Sequence, residues 1–319
     1  MKNIKRIISM VLTLTMLCLT TVPAFANESN FKNTNVINEY DNYISLVSKS
    51  DSQLKASGMT NEDINYIRNF NYEEEVRNRA KLSDETLKTY GYTKNEIKEL
   101  RSVAEMDNIS TDALMSISTS TLTSYIQISK KGTITEGGST VRYVDLFYKF
   151  KWSKIPLFTL VDMVAIGFHS DSSTEYVYKQ VSNHTFKAYF KTLLTGAETQ
   201  ETINWNYKVD NKIPSVSTKF AIGVKNSNSE LTKFCFYGSG TFRITNRDTT
   251  ARLYVDAAYG HTTINIVPTY SISLTNKKVD IGIKFAVGMD SQHNRGYYYS
   301  NLTIDNSYIY EGDVRPWKN

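Results

Sequence analysis

Cysteine is nearly absent from this chain. Two occur in 319 residues, and Cys18 sits in an N-terminal apolar stretch that is expected to be removed. The remaining Cys235 has no partner in the same chain, so no intrachain disulfide can form and stability must come from burial and hydrogen bonding. Flanked by Phe234 and Phe236, it reads as a small apolar strand residue rather than a nucleophile. Long hydrophobic runs are also missing: past the N-terminus nothing approaches the ~20 apolar residues of a membrane helix. The His-Glu-x-x-His pair, the Gly-x-Ser-x-Gly elbow, the phosphate-cradling glycine loop and the paired-cysteine metal site are all lacking. The four histidines, His169, His184, His261 and His293, are scattered, and the reading is of isolated groups near strand ends. No metal and no cofactor is expected. Glu198 and Glu201 lie three apart in a predicted loop, but glycosidase carboxylates are positioned by fold rather than by spacing. A secreted hydrolase is the weakest of the functional readings, and contact rather than bond-making is the expectation.

What is present begins with an export signal over residues 1–26. Lys2, Lys5 and Arg6 precede an apolar core from Ile7 to Leu19, and Ala24-Phe25-Ala26 supplies small residues at −3 and −1. Cleavage is predicted between Ala26 and Asn27, giving a secreted, extracellular chain. Met16-Leu17 ahead of Cys18 lacks the small residue that lipoprotein processing needs, which excludes a lipid anchor. Without the leader the formal charge of +5 drops to +2, and it is unevenly spread. Residues 27–118 carry 16 acids and 11 bases, whereas residues 119–319 carry 16 acids and 23 bases. The two parts therefore have opposite sign.

Residues 27–35 are polar and predicted to be disordered, and 36–118 to form a small acidic helical domain. Val36, Ile37, Tyr40, Tyr43, Ile44 and Val47 recur at helical spacing. A weak repeat follows: Leu54 to Arg68 matches Leu87 to Arg101 at an offset of 33, with six identities in fifteen positions. In each copy a helix ends at a glycine suited to the left-handed conformation, and a threonine caps the next helix. Thr93 with Glu96 fits a capping box. Serine and threonine at Ser116–Ser120 mark a boundary, after which the period changes from 3.6 to 2. Residues 119–312 are predicted to form about ten to twelve strands of a basic antiparallel β domain, with 313–319 as a tail. Leu157–Phe168 is apolar apart from Asp162, which predicts a strand buried on both faces. The fold class is thus α+β, the large part being either a β-sandwich or an elongated twisted sheet.

The clearest alternation lies in Thr262–Met289, two strands turning near Asn276–Lys278. Ile264, Ile266, Pro268, Tyr270, Ile272 and Leu274 share one face of the first arm, and Val279, Ile281, Ile283, Phe285 and Val287 alternate in the second. A ribbon with one apolar and one polar face suits either a core or a bilayer, which a tilted strand crosses in about 9–11 residues. Tyr297, Tyr298 and Tyr299, with Tyr270, Phe285 and Trp317, are the candidate contacts to a membrane or other surface. Interleaved Lys149, Lys151, Lys154, Lys187 and Lys191 suit a lipid surface or an anionic cell-envelope polymer. Trp152, Trp205 and Trp317 are the stacking candidates if the protein is instead a cell-wall or polysaccharide binding module. The acidity of the helical part, together with export, excludes nucleic acid. That part is expected to be either a permanent domain or a pro-region docked on the basic part. The order of signal, acidic helical segment and basic β domain resembles large secreted bacteriocin-type proteins of Gram-positive bacteria. The resemblance implies a secreted, non-enzymatic, antibacterial or membrane-active function and assigns no functional residue.

Overall fold

Period-two alternation gives each strand a face for the core, and short turns return the chain antiparallel. The computed structural model describes residues 33–304 apart from 57–58, 160, 171–172, 211, 228–230, 249–252, 262–267, 276–277 and 286–296. All of these described residues fall within one compact unit, Asn33–Asn319. Among them the chain is mostly antiparallel β-sheet with seven short helices. The helices are α1 (Glu39–Val47), α2 (Asp51–Ala56), α3 (Asn61–Asn69), α4 (Tyr72–Ala80), α5 (Asp84–Thr89), α6 (Lys94–Ala104) and α7 (Thr111–Ile117).

The 33-residue sequence repeat is a structural repeat. Thr60 and Thr93 both form capping boxes, with Asp63 and Glu96 respectively. The amide of Met59 donates to Leu54 O and that of Tyr92 to Leu87 O, at 3.1 and 3.0 Å. The unit extends further than the sequence reading had it, since Arg68 pairs with Asp51 and Arg101 with Asp84, again 33 apart. Gly91 has φ +91°, and a Cβ there would come within 2.5 Å of Ser153 O. Only glycine fits that corner.

The described strands form three sheets. One contains β1 (Asn33–Asn38), β2 (Thr119–Glu136), β3 (Ser139–Trp152), β11 (Leu231–Asn246), β6 (Phe186–Thr192) and β7 (Glu198–Ile203) in that order, with β5 (Val177–Lys179) and β10 (Gly223–Lys225) also paired to β11. The second runs β15 (Tyr297–Ile304), β12 (Leu253–Gly260), β4 (Val161–Ser170), β9 (Ile213–Ala221) and β8 (Asn206–Asp210). β13 (Pro268–Thr275) and β14 (Lys278–Phe285) make a third sheet of two strands. Aromatic rings connect the two large sheets: Phe150 on β3 lies 5.3 Å from Phe220 on β9 and 4.7 Å from Tyr259 on β12. Phe242 on β11 lies 6.1 Å from Phe168 on β4. At Gly238 on β11 a Cβ would strike the rings of Phe150 and Phe186, so the missing side chain makes room for this aromatic layer.

Several expectations change. Asn33–Asn38 is a strand paired with β2, where polarity predicted disorder through residue 35 and helix from Val36. Local propensity could not reveal a partner more than 80 residues away. The strand β2, eighteen residues long, was hidden by its Ser/Thr/Lys content. Fourteen strands follow residue 118 among the described residues, more than the ten to twelve expected. At the compositional change, β2 starts directly after α7 and Ser118, and both Ser118 and Ser120 are buried. Five of the helices share an apolar cluster with the strands, in which Tyr72 and Phe70 meet Phe158, while Leu46, Leu54, Met59, Ile64 and Ile67 form a separate cluster within the helical segment. β4 is buried on both faces as predicted.

Candidate functional site

The β13–β14 hairpin pairs like with like. Tyr270 opposes Ile283, Ile272 opposes Ile281 and Leu274 opposes Val279, while Thr269 opposes Lys284, Ser273 opposes Asp280 and Thr275 opposes Lys278. A slip of one residue would mix the two sets, so the register is strongly specified. Each described arm is eight residues, shorter than the arms read from sequence; the flanks at 262–267 and 286–289 lie outside the described residues.

This hairpin lies against β4, β9 and β12. Tyr270 fixes its orientation. The phenol oxygen is 2.9 Å from Ser215 Oγ on β9, and Lys208 on β8 places Nζ 3.8 Å from the ring centroid while donating to Tyr270 O at 3.2 Å. Burial raises the phenol pKa, against hydrogen bonds from Ser215 and Ser217 that lower it. The sheet face that carries Ser215 holds several small residues beside Met163, which is buried as well. Ser217, Ala165 and Ala258 are register partners across β9, β4 and β12, and all three are buried. Such side chains offer roughly one methyl each to the hydrophobic effect, about 0.8 kcal/mol, against ~1.5–3 kcal/mol for a leucine or phenylalanine.

At the root of the hairpin, just after β12, is a buried charge cluster. His261 Nδ1 lies 3.1 Å from both Asp162 oxygens, and Nε2 lies 3.1 Å from Glu39 Oε1. Both ring nitrogens face carboxylates, so both are donors and the imidazole is the cation. Burial pushes its pKa down, but Asp162 and Glu39 more than offset this and raise it to about 10. The backbone amides of Leu157 and Phe158 donate to Glu39 at 2.6 and 2.9 Å. Tyr259 donates to Asp162 at 2.6 Å and accepts from Trp152 Nε1 at 3.1 Å. His261 and Asp162 are 0 % and Glu39 1 % exposed. The first residue of α1, the lone acid of β4 and the end of β12 are thus joined by charge. With no lone pair left on the imidazolium, this is not a metal-ligating arrangement, and no group of three or more such side chains among the described residues is arranged to hold a metal ion.

The outer face of the eight-stranded sheet carries a second feature. Tyr237 on β11 stacks on Tyr189 on β6 with centroids 4.1 Å apart and planes at 12°. In register beside them, Lys151 is Tyr237's partner on β3, and Ser239 lies between Lys149 and Lys187. Burial raises the Tyr237 phenol to about 12, with Tyr189 and Glu198 adding to the rise. Four of the five lysines singled out by sequence therefore share this face with the aromatic stack, Lys191 lying two residues past Tyr189 on β6 and in register with Glu198. Lys154 does not; it is buried against Glu96 at 2.9 Å and over the Tyr92 ring.

The predicted histidine pattern is overturned. His261 is a buried node, His169 lies 2.7 Å from Glu175, and His184 lies 3.8 Å from Asp145. Asp162 of β4 and Asp145 of β3 reach His261 and His184 from remote strands and Glu39 comes from α1, which sequence spacing does not encode, whereas Glu175 lies in the loop six residues after His169. His293 falls outside the described residues. Glu198 and Glu201 sit on β7, both exposed, not in a loop. Trp152 and Trp205 are core residues, so neither is a stacking platform. Cys235 is fully buried, and burial pushes its thiol pKa up, as a packing residue requires. Of the candidate contacts, Tyr270 is half-buried in the hairpin contact, Phe285 ends β14, and Tyr297, Tyr298 and Tyr299 open β15 opposite Gly260, Tyr259 and Ala258. Trp317, Ala26 and Asn27 lie outside the described residues. The Glu39 contact was invisible in sequence; the one signal for the cluster was Asp162 alone in an apolar run.

No family model matches this chain, and no curated protein matches it. Among solved structures, the Clostridium perfringens delta-toxin is similar over 59 % of this chain and 91 % of its own, at 10 % identity and a TM-score of 0.21. The Clostridium perfringens NetB toxin in its membrane-inserted form has the same coverage at 8 % identity and 0.20. AvmM, which catalyses macrocyclization in alchivemycin A biosynthesis, overlaps 41 % of this chain and 80 % of its own at 8 % identity and 0.19. At these scores the overlaps carry no argument for this chain.

Proposed function

We propose that this is a secreted, non-enzymatic bacterial protein that acts at a cell surface and is membrane-active, in the manner of an antibacterial toxin or bacteriocin. The observation that carries the reading is the hairpin: a register-matched ribbon of alternating apolar and polar residues, paired to no other strand among the described residues and lying against β4, β9 and β12. In this reading the two large sheets are the halves of a β-sandwich, and the hairpin leaves that body to put its apolar face into lipid. Eight residues extend about 27 Å, against a hydrocarbon core of ~30 Å. A tilted crossing takes about 9–11 residues, more than the eight described in each arm. The patch of Lys149, Lys151 and Lys187 with the Tyr189–Tyr237 stack supplies attraction to an anionic lipid surface or envelope polymer.

The test places single cysteines on alternate hairpin positions, Ile272→Cys, Ile281→Cys and Ile283→Cys against Ser271→Cys, Asp280→Cys and Gly282→Cys. Cys235 is buried and does not compete for the label. An environment-sensitive dye should shift to the blue with anionic liposomes at the first three positions only, together with release of entrapped calcein. Dye shifts without alternation, or no release at any protein concentration, would refute the hairpin mechanism.

A further inference from the structure

The corner between α3 and α4 encloses an open groove of about 460 Å³, within the usual range for small-ligand sites. Its walls follow from helical spacing. On α3, Ile64 and Ile67 turn into the core, which leaves Asn65, Tyr66 and Asn69 on the groove side. On α4, Tyr72 and Val76 are buried, leaving Glu74, Glu75 and Asn78 with the cap residue Asn71. Phe70, between the helices, is anchored from below by ring contacts to Tyr43, Tyr72 and Phe158, and its carbonyl accepts from the Tyr43 hydroxyl at 2.8 Å. Tyr66 is 45 % exposed, with its ring 5.7 Å from that of Phe70.

The lining combines two aromatic plates, four carboxamides and two carboxylates. A carboxamide offers two donors and two acceptor lone pairs, and each local bond uses one group. Asn71 Oδ1 accepts from Glu74 N, Asn78 Oδ1 accepts from Lys81 Nζ, and Asn69 Nδ2 donates to Asn65 O. The remaining capacity is directional and neutral, which suits vicinal hydroxyls, while an amphipathic aromatic face suits the C–H face of a pyranose ring. Glu74 and Glu75 are the only ionised residues in the lining, so the groove repels anions. Lys81, which donates to the lining residue Asn78, is engaged there.

We propose that this groove binds the sugar rings of a neutral glycan, with Tyr66 as the stacking plate and the asparagines and glutamates as hydroxyl and N-acetyl partners. It lies on the helical segment and is independent of the hairpin. The protein would hold a glycan-bearing surface with one part and engage lipid with another, and loss of either activity leaves the other to be measured.

The experiment titrates residues 27–319 by calorimetry with an N-acetylglucosamine hexamer, a glucose hexamer and a hyaluronan fragment of similar length. The first two represent wall-type and storage-type sources of the same chemistry, and the third is an anionic control. Saturable binding to one of the neutral oligomers is expected, with tenfold or greater loss on Tyr66→Ala, retention on Tyr66→Phe, and weakening on Asn69→Ala. Tyr66 is exposed enough that these variants fold, which far-ultraviolet circular dichroism checks. The proposal is overturned by no saturable binding to either neutral oligomer, by equal or tighter binding of hyaluronan, or by binding that Tyr66→Ala leaves unchanged.

Discussion

Raising the pH should unfasten the Glu39–His261–Asp162 cluster, and the sign and size follow from its geometry. In the unfolded chain a histidine titrates near 6.5; in the folded protein His261 is held at about 10. Its folded pKa is the higher one, so the stabilisation is complete below pH 6.5 and is lost as pH rises through 10. Between those limits the native state binds more protons, and unfolding free energy falls by about 1.4 kcal/mol per pH unit. The total is on the order of 4–5 kcal/mol, a large share of the ~5–15 kcal/mol typical of a folded protein. The groups facing the imidazole are Glu39 from α1, Asp162 from β4, and Tyr259 and Trp152, whose ring lies 5.0 Å away. The Tyr259 phenol is pushed well up by burial first and then by Asp162, so it stays protonated over this window. Urea unfolding followed by tryptophan emission at pH 6, 7, 8, 9 and 10 measures the slope directly. Asp162→Asn should flatten it, because the imidazolium loses its doubly contacting carboxylate. A stability constant from pH 7 to 10 in the wild type, or a slope unaltered in Asp162→Asn, would show that His261 is not held charged by these acids.

Three further outcomes are expected. Asp145 accepts a two-point contact from Arg243 at 2.6 and 2.8 Å in a nearly buried setting, so Asp145→Ala should cost about 3–5 kcal/mol in denaturant unfolding by leaving the guanidinium unpaired. Gly91→Ala should cost at least ~1–3 kcal/mol and lower the melting temperature, since it combines a positive φ with a backbone oxygen 2.5 Å from the new Cβ. Lys149→Glu, Lys151→Glu and Lys187→Glu combined should abolish co-sedimentation with anionic liposomes at low salt and leave the melting temperature within a few degrees, because all three occupy the outer sheet face.

Local patterns were legible wherever one residue's neighbours in sequence are also its neighbours in space. Helix caps at Thr60 and Thr93, the glycine corner at Gly91, the two-sided burial of β4 and the alternating hairpin all depend on short-range spacing, and the chain carries each of them in plain view. The β-rich character after residue 118 belongs with them. What needed the tertiary structure was every relation between distant segments. Glu39 and His261 are 222 residues apart, and no periodicity foretells that a helix-opening acid will meet a histidine at the end of a strand. Val36 and Ile37 had helical spacing yet joined a sheet, because an unpaired edge of β2 offered them backbone partners. Trp152 and Trp205 could have been surface platforms by composition; which face of β3 carries Trp152 inward is settled only when a second sheet arrives to cover it, and Trp205 is buried from the connection between β7 and β8. Sequence alone determined the alphabet of short elements, whose hydrogen bonds close within a few residues. The pairing of sheets, the buried ion cluster and the groove between α3 and α4 depend on contacts whose partners are chosen by the folded chain as a whole.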